Sequence, residues 1–121
     1  MQELEHTIAA YGAAWQENSA EKRLELLTAC FAENGRYVDP TADVMGQEQL
    51  NSHIGDVLQS SNGRVEIISS PASHHDVVHF NWHMVAPDGS IMVAGHDFIR
   101  LDEEGKIAHL AGFFGDPAPL T

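Results

Sequence analysis

Residues 76–114 read DVVHFNWHMVAPDGSIMVAGHDFIRLDEEGKIAHLAGFF, three apolar-rich runs separated by Asp88-Gly89 and Glu104-Gly105. Both dipeptides are hairpin turn signals, so the stretch predicts consecutive antiparallel strands at about 76–86, 91–101 and 106–114. Two-residue loops at the turns set the register. Pro87 then pairs with Ser90, Phe80 with Asp97, and Asp97 with Gly112. Because side chains alternate along a strand, one face collects Phe80, Trp82, Met84, Ile91, Val93, Gly95, Asp97, Ile99, Leu110, Gly112 and Phe114. The other collects His79, Asn81, His83, Met92, Ala94, His96, Phe98, Arg100, His109, Ala111 and Phe113. The first face is nearly all apolar and is expected to look onto a core. The second is too polar for a core and too apolar for bare solvent.

Upstream of this meander the period changes. Leu4, Ile8, Tyr11 and Trp15 draw one stripe on a helix over 3–17. Asn18, with Glu21 three residues on, reads as the cap of a second helix. Its stripe is Leu24, Leu27 and Phe31, and Asn34-Gly35 is expected to end it. Arg36–Asp39 reads as a short strand stopped by Pro40. A third helix runs from about Gln47 to Leu58 with Leu50, Ile54 and Val57 on one side, and a strand follows at about 64–70. Three helices, an early strand and a meander make an α+β domain. A chain of 121 residues fits one such domain, residues 1–121, with a loose tail at 116–121.

The formal net charge is -12, with only 6 Lys and Arg. That surface repels phosphate backbones and anionic membranes, so neither nucleic acid nor a membrane is expected as a partner. No apolar run is long enough to span a bilayer. The acidic start, Met1-Gln2-Glu3-Leu4-Glu5, has no apolar core of a signal peptide. The single cysteine, Cys30, rules out an internal disulfide and fits a reducing cytoplasm.

Asp97 is the one ionisable group on the apolar sheet face. Desolvation there raises a carboxyl pKa and equips it for acid/base work, unless it merely caps an amide or pairs with a buried Arg. Asp39 ends the early strand, where it sits at a cavity rim or simply opens a turn before Pro40. Tyr11, Trp15 and Tyr37 are pocket aromatics or core, and His53 shares a helical face with Leu50 and Val57. With Ile54, Phe80, Trp82, Val93 and Phe114 they are expected to line one cavity holding Asp97, with Asp39 nearer the rim. The 8 histidines show no metal-ligand spacing, so no metal and no other cofactor is expected.

The run Cys30-Phe31-Ala32-Glu33-Asn34-Gly35-Arg36-Tyr37-Val38-Asp39-Pro40, preceded by Trp15, resembles the helix-to-strand junction of SnoaL-like proteins of the nuclear transport factor 2 superfamily. Gly46-Gln47-Glu48-Gln49-Leu50 is similar to the opening of their third helix. His74-His75-Asp76, Phe80-Asn81-Trp82, Gly95-His96-Asp97, Asp102–Ile107 and Gly112-Phe113 continue the pattern along nearly the whole chain. The resemblance implies a curved sheet wrapped into a cone and closed by three helices. Polyketide cyclases, ketosteroid isomerases, dehydratases and non-catalytic binders share that fold, so fold alone does not give function. The isomerase is a standard example of an Asp base working beside a Tyr and a protonated Asp. By resemblance Asp39 falls at the base, Asp97 at the protonated Asp, and Tyr11 or Trp15 at the donor. Three functions stay open: acid/base isomerisation, cyclisation or dehydration of a small carbonyl compound; binding of a small apolar molecule without turnover; and assembly. The resemblance also implies a homodimer packed through the outer sheet face.

Overall fold

The computed structural model describes residues 2–120. Helices α1 (Leu4–Ala14) and α2 (Ala20–Cys30) come first, then strands β1 (Phe31–Asp39) and β2 (Ala42–Met45) and helix α3 (Gly46–Ser61). Strands β3 (Arg64–Ile67), β4 (Ala72–His74), β5 (Val77–Val85), β6 (Ile91–Leu101) and β7 (Ile107–Phe114) complete the chain. The sheet order is β2-β1-β7-β6-β5-β3, with β4 also paired to β5. Only β1 and β7 run parallel; the other pairs are antiparallel. The architecture is α+β: three helices and a mixed, mostly antiparallel sheet.

The helix ends differ from the sequence expectation for local reasons. Helix α1 stops at Ala14 instead of 17, and α2 is capped by Ser19, not Asn18, its side chain accepting from the Lys22 N–H at 3.3 Å. Asn34-Gly35 does not end α2. The helix ends at Cys30, and Phe31 begins a strand opposite Ile107, fully buried, so tertiary pairing overrides the helical stripe. Asn34-Gly35 falls instead inside a register shift between Phe31 and Arg36. Strands β2 and β4 are absent from the expectation because they are only 4 and 3 residues long, too short to show a period, and β4 is exposed throughout. The strand expected over 64–70 stops at Ile67.

The register that positions the site is as expected at its centre. Phe80 pairs with Asp97, and Asp97 with Gly112. It departs near the β5–β6 turn. Ser90 pairs back to Ala86 through Ala86 N to Ser90 O at 2.8 Å, not to Pro87, and Val85 sits opposite Ile91 across a bulge. The bulge turns Ile91 outward, 58% exposed, and buries Val85. The core lies between the inner sheet face and the helices, built on Phe31, Phe80, Leu27, Leu50, Ile54 and Leu110. Buried Thr7 ties α1 to the β6–β7 turn by donating to Gly105 O at 2.7 Å. Among the described residues no helix is long and apolar enough to cross a membrane.

Gly95 on β6 is a close-approach position. A Cβ there would collide with the Trp82 ring and stand 2.6 Å from Phe113 O. Neither neighbour can retreat, since one is an indole packed in the core and the other is ladder backbone. Gly95→Ala is expected to cost about 3 kcal/mol in urea unfolding, the upper range for overpacking. A loss under about 0.5 kcal/mol, the scale of a neutral surface change, would contradict the packing described.

Candidate functional site

Strand β6 carries Asp97 at its middle, pointing to the helix side. The residue is 5% exposed, and the Trp82 indole donates from Nε1 to its Oδ1 at 3.0 Å. The indole reaches it because β5 and β6 place Trp82 opposite Gly95, where nothing blocks the ring. Burial pushes the carboxyl up to about 7; the indole bond pulls the other way, and the charge on Asp39 adds to the rise. One donor is too little to hold a buried carboxylate ionised, so near neutral pH this group changes charge readily.

Asp39, the last residue of β1, is its opposite. The Tyr37 hydroxyl donates to Oδ2 at 2.5 Å, while the Thr41 N–H and hydroxyl both donate to Oδ1 at 2.7 Å. The side chain of His53, on α3, brings Nε2 to 3.6 Å from Oδ2, and that nitrogen has no hydrogen-bond partner. Burial raises the Asp39 pKa, but the His53 N–H, the Tyr37 hydroxyl and Thr41 together pull it well below the usual carboxylate range. At 3.6 Å the His53 contribution is a charge–dipole contact rather than a formed bond, so the Tyr37 and Thr41 bonds carry most of the depression.

The two carboxyls are neighbours across Gly112 of β7. A Cβ on that residue would stand 3.0 Å from Asp97 Oδ1 and 3.3 Å from Asp39 Cβ. The missing side chain keeps the space between them open. Tyr11 of α1 covers this floor, 2% exposed. Burial, then the nearby Asp97, holds its phenol protonated well above the ordinary value, with the Trp15 indole acting weakly against. Tyr37 is held protonated in the same way, by burial first and then by Tyr11 and Asp39.

These groups surround a cavity of about 220 Å³ between α1, α3 and the sheet. Asp97, Asp39, Tyr11, Trp15 and Tyr37 line it, as do Phe80, Trp82, Val93 and Phe114. Ile54 and His53, expected on its wall, are not there. Ile54 is fully buried in the core one turn before Val57, which does reach the cavity. His53 stands behind Asp39, packed edge-on to Trp15 with ring centroids 6.1 Å apart. Sequence reasoning missed Gly12, Thr41, Val65 and Ile67 in the wall, and it put Val57 and Met84 on inward faces without naming them for the cavity. Alternation along β3 could have found the two apolar residues. Thr41 carried no signal, because its role comes from the turn that bends it back onto Asp39. Among the described residues no group of three or more His, Cys, Asp or Glu side chains is placed to hold a metal ion.

The arrangement can exchange a proton between Asp97 and a molecule in the cavity, while Tyr11 offers a neutral donor and Asp39 stays ionised. A family model described as SnoaL-like domain matches residues 8–110. No curated protein matches the sequence. Among solved structures, a candidate isomerase of the SnoaL-like family from Agrobacterium tumefaciens is 32% identical, with a TM-score of 0.85 over 91% of this chain and 95% of that one. An NTF2-like protein of unknown function from Exiguobacterium is 21% identical, TM-score 0.70, over 92% and 99%. A candidate SnoaL-like polyketide cyclase from Jannaschia is 13% identical, TM-score 0.67, over 91% and 85%. The last two are likenesses of fold.

The raised Asp97 pKa has a consequence for stability. An unfolded chain ionises this carboxyl near its ordinary 3.8, the folded one near 7. Between those values the folded state holds a proton that the unfolded state has lost, so this group lowers stability as pH rises and the penalty levels off above 7. The full penalty is about 4 kcal/mol, an upper bound. Asp97→Asn removes it and keeps an acceptor for the indole. The variant is expected to be more stable than the parent in urea at pH 8, by up to that amount, with the gap closing toward pH 4. A parent as stable as the variant at pH 8 would show that Asp97 is not desolvated.

Proposed function

The chain belongs to the SnoaL-like domain family, and from that premise we propose that it performs cofactor-independent acid/base chemistry, isomerisation, cyclisation or dehydration, on a small carbonyl compound. The observation that carries the reading is a carboxyl pushed up to about 7 on the wall of an apolar cavity. A group with that pKa takes and returns a proton at neutral pH, where an ordinary Asp is too weak a base. Asp97 removes a proton from the carbon next to the carbonyl. Tyr11, or the Trp15 indole, donates to the oxygen as negative charge builds there. The proton on Asp97 then returns to a different carbon in an isomerisation, or to a departing hydroxyl in a dehydration.

Asp39 is a poorer proton carrier in this scheme, although resemblance implies it as the base. Its oxygens already accept from Tyr37 and Thr41, and its proton affinity is low. It works by staying charged, which adds to the rise that burial gives the Asp97 pKa. The cavity of about 220 Å³ is walled mostly by apolar side chains, which suits a small, largely apolar molecule. The second reading, a binding protein without turnover, rests on the same apolar cavity.

The cytoplasm is the proposed location, in keeping with a buried thiol at Cys30 that burial pushes up to about 12. A homodimer through the outer sheet face is proposed as well. Met92, Phe98 and Phe113 stand there 47%, 45% and 56% exposed, an apolar set that a partner copy would cover. Sedimentation at micromolar concentration is expected to give a dimer, and a monomer alone would reject that assembly.

Deuterium exchange into cyclohexanone, followed by proton NMR in buffered D2O at pH 7, tests the chemistry without knowledge of the natural substrate. The protein is expected to accelerate exchange, and Asp97→Asn to lose at least about a hundredfold of that acceleration, the typical worth of a positioned acid/base group. Binding of the ketone without exchange would select the binding-protein reading. Equal exchange by parent and variant would remove Asp97 from the chemistry.

A further inference from the structure

The cavity wall carries more than the proposed carbonyl chemistry draws on. Six of its residues are aromatic: Tyr11, Trp15, Tyr37, Phe80, Trp82 and Phe114. Among the described residues no Lys, Arg or His lines it, and its ionisable groups besides the two tyrosines are Asp39 and Asp97. We propose that this cavity selects a ligand carrying a methylated ammonium group, seated among the aromatic rings with Asp39 as its counter-charge. The inference rests on the reading of the cavity as a small-molecule site and names the class of molecule that enters it.

Two physical arguments lead there. The first concerns charge. Asp39 is ionised with its side chain only 6% exposed, and among the described residues the one basic side chain within 4 Å is His53, which stands outside the cavity wall. A neutral ligand displacing water from the cavity would leave that carboxylate facing an apolar body, which costs free energy. A cation in the same place is attracted by the carboxylate and by the ring faces, and desolvation strengthens both attractions.

The second argument concerns hydrogen bonding and separates methylated from primary ammonium. A carboxylate accepts at about four lone-pair positions. Tyr37 takes one on Oδ2, the Thr41 N–H and hydroxyl take two on Oδ1, and His53 Nε2 faces Oδ2 from 3.6 Å. A primary ammonium brings three N–H donors, and beside Asp39 the wall offers them only Asp97, whose Oδ1 already accepts from Trp82, and the Tyr11 hydroxyl, among side chains that are mostly rings and hydrocarbon. A quaternary nitrogen brings none. Its methyl groups present an apolar surface to the rings while its charge acts on Asp39 through space. Within the wall the rings neighbour one another in pairs: Trp15 and Tyr37 centroids are 6.3 Å apart, and Trp82 and Phe114 5.8 Å. Phe114 is 42% exposed and closes the set at the rim.

The test compares two molecules of the same shape, choline chloride and its carbon isostere 3,3-dimethylbutan-1-ol, by isothermal titration calorimetry at pH 7 and constant ionic strength. Choline is expected to bind about tenfold tighter or more. Asp39→Asn should reduce choline affinity by about tenfold and leave the alcohol within about twofold. Phe114→Leu, at the partly exposed rim, should lower choline affinity roughly two- to fivefold without changing the alcohol. Should Asp39→Asn fail to fold, the Phe114 variant still decides. If the alcohol binds the parent protein as tightly as choline does, the ammonium inference is overturned while the small-molecule reading stands. If neither binds, both fall.

Discussion

The Trp82 indole lies against Gly95 and donates its single N–H to Asp97 at 3.0 Å inside an otherwise apolar layer. That bond is the polar anchor given to a carboxyl that the fold has taken out of water. A buried polar atom without a partner is costly, and a buried charge more so. The indole supplies enough to keep the group in place and too little to keep it ionised. The glycine on β6, the register that sets Trp82 opposite it, and the absence of a side chain at Gly112 all serve the same position. Moving any of them would either close the space or leave Asp97 without its donor.

Two aspartates a strand apart from a shared glycine end up in opposite states for reasons of hydrogen bonding. Asp39 accepts from Tyr37 and twice from Thr41, and behaves as a fixed anion. Asp97 has one donor and a charged neighbour, and its proton becomes labile near neutrality. Environments that push like groups apart are how acid and base roles divide within one site. Resemblance to the isomerases assigned Asp39 the base role. Around it Tyr37 and Thr41 engage three lone-pair positions and hold its proton affinity low.

Much of the fold was legible because the meander obeys period-two alternation and its turns carry Asp-Gly and Glu-Gly. The pairings Phe80–Asp97 and Asp97–Gly112 came directly from counting residues across those turns. Counting failed on the turn side of a bulge, at Val85 and Ile91, where one extra residue shifts the pairing while Met84 still meets Val93. It also failed at Phe31, where an apolar residue in helical phase with Leu24 and Leu27 is drawn into a strand by its pairing with Ile107. Short exposed strands such as Ala72–His74 left no pattern to read.

The sequence by itself determined that Asp97 faces an apolar layer, that Tyr11 and Trp15 share a helical stripe, and that the chain follows the SnoaL-like order of motifs. These are consequences of local period and spacing, which one chain displays without reference to its neighbours. Tertiary structure alone decided which atoms meet. Thr41 turns back onto Asp39, His53 stands behind that carboxylate and not in the cavity, and Ile54 faces the core one turn away from Val57. Such contacts depend on the angle and depth at which α3 packs on the sheet, and displacements of an ångström or two exceed what residue periodicity can specify. The protonation states follow from this, since the pKa of a carboxyl is set by its burial together with its donors and the charges near it.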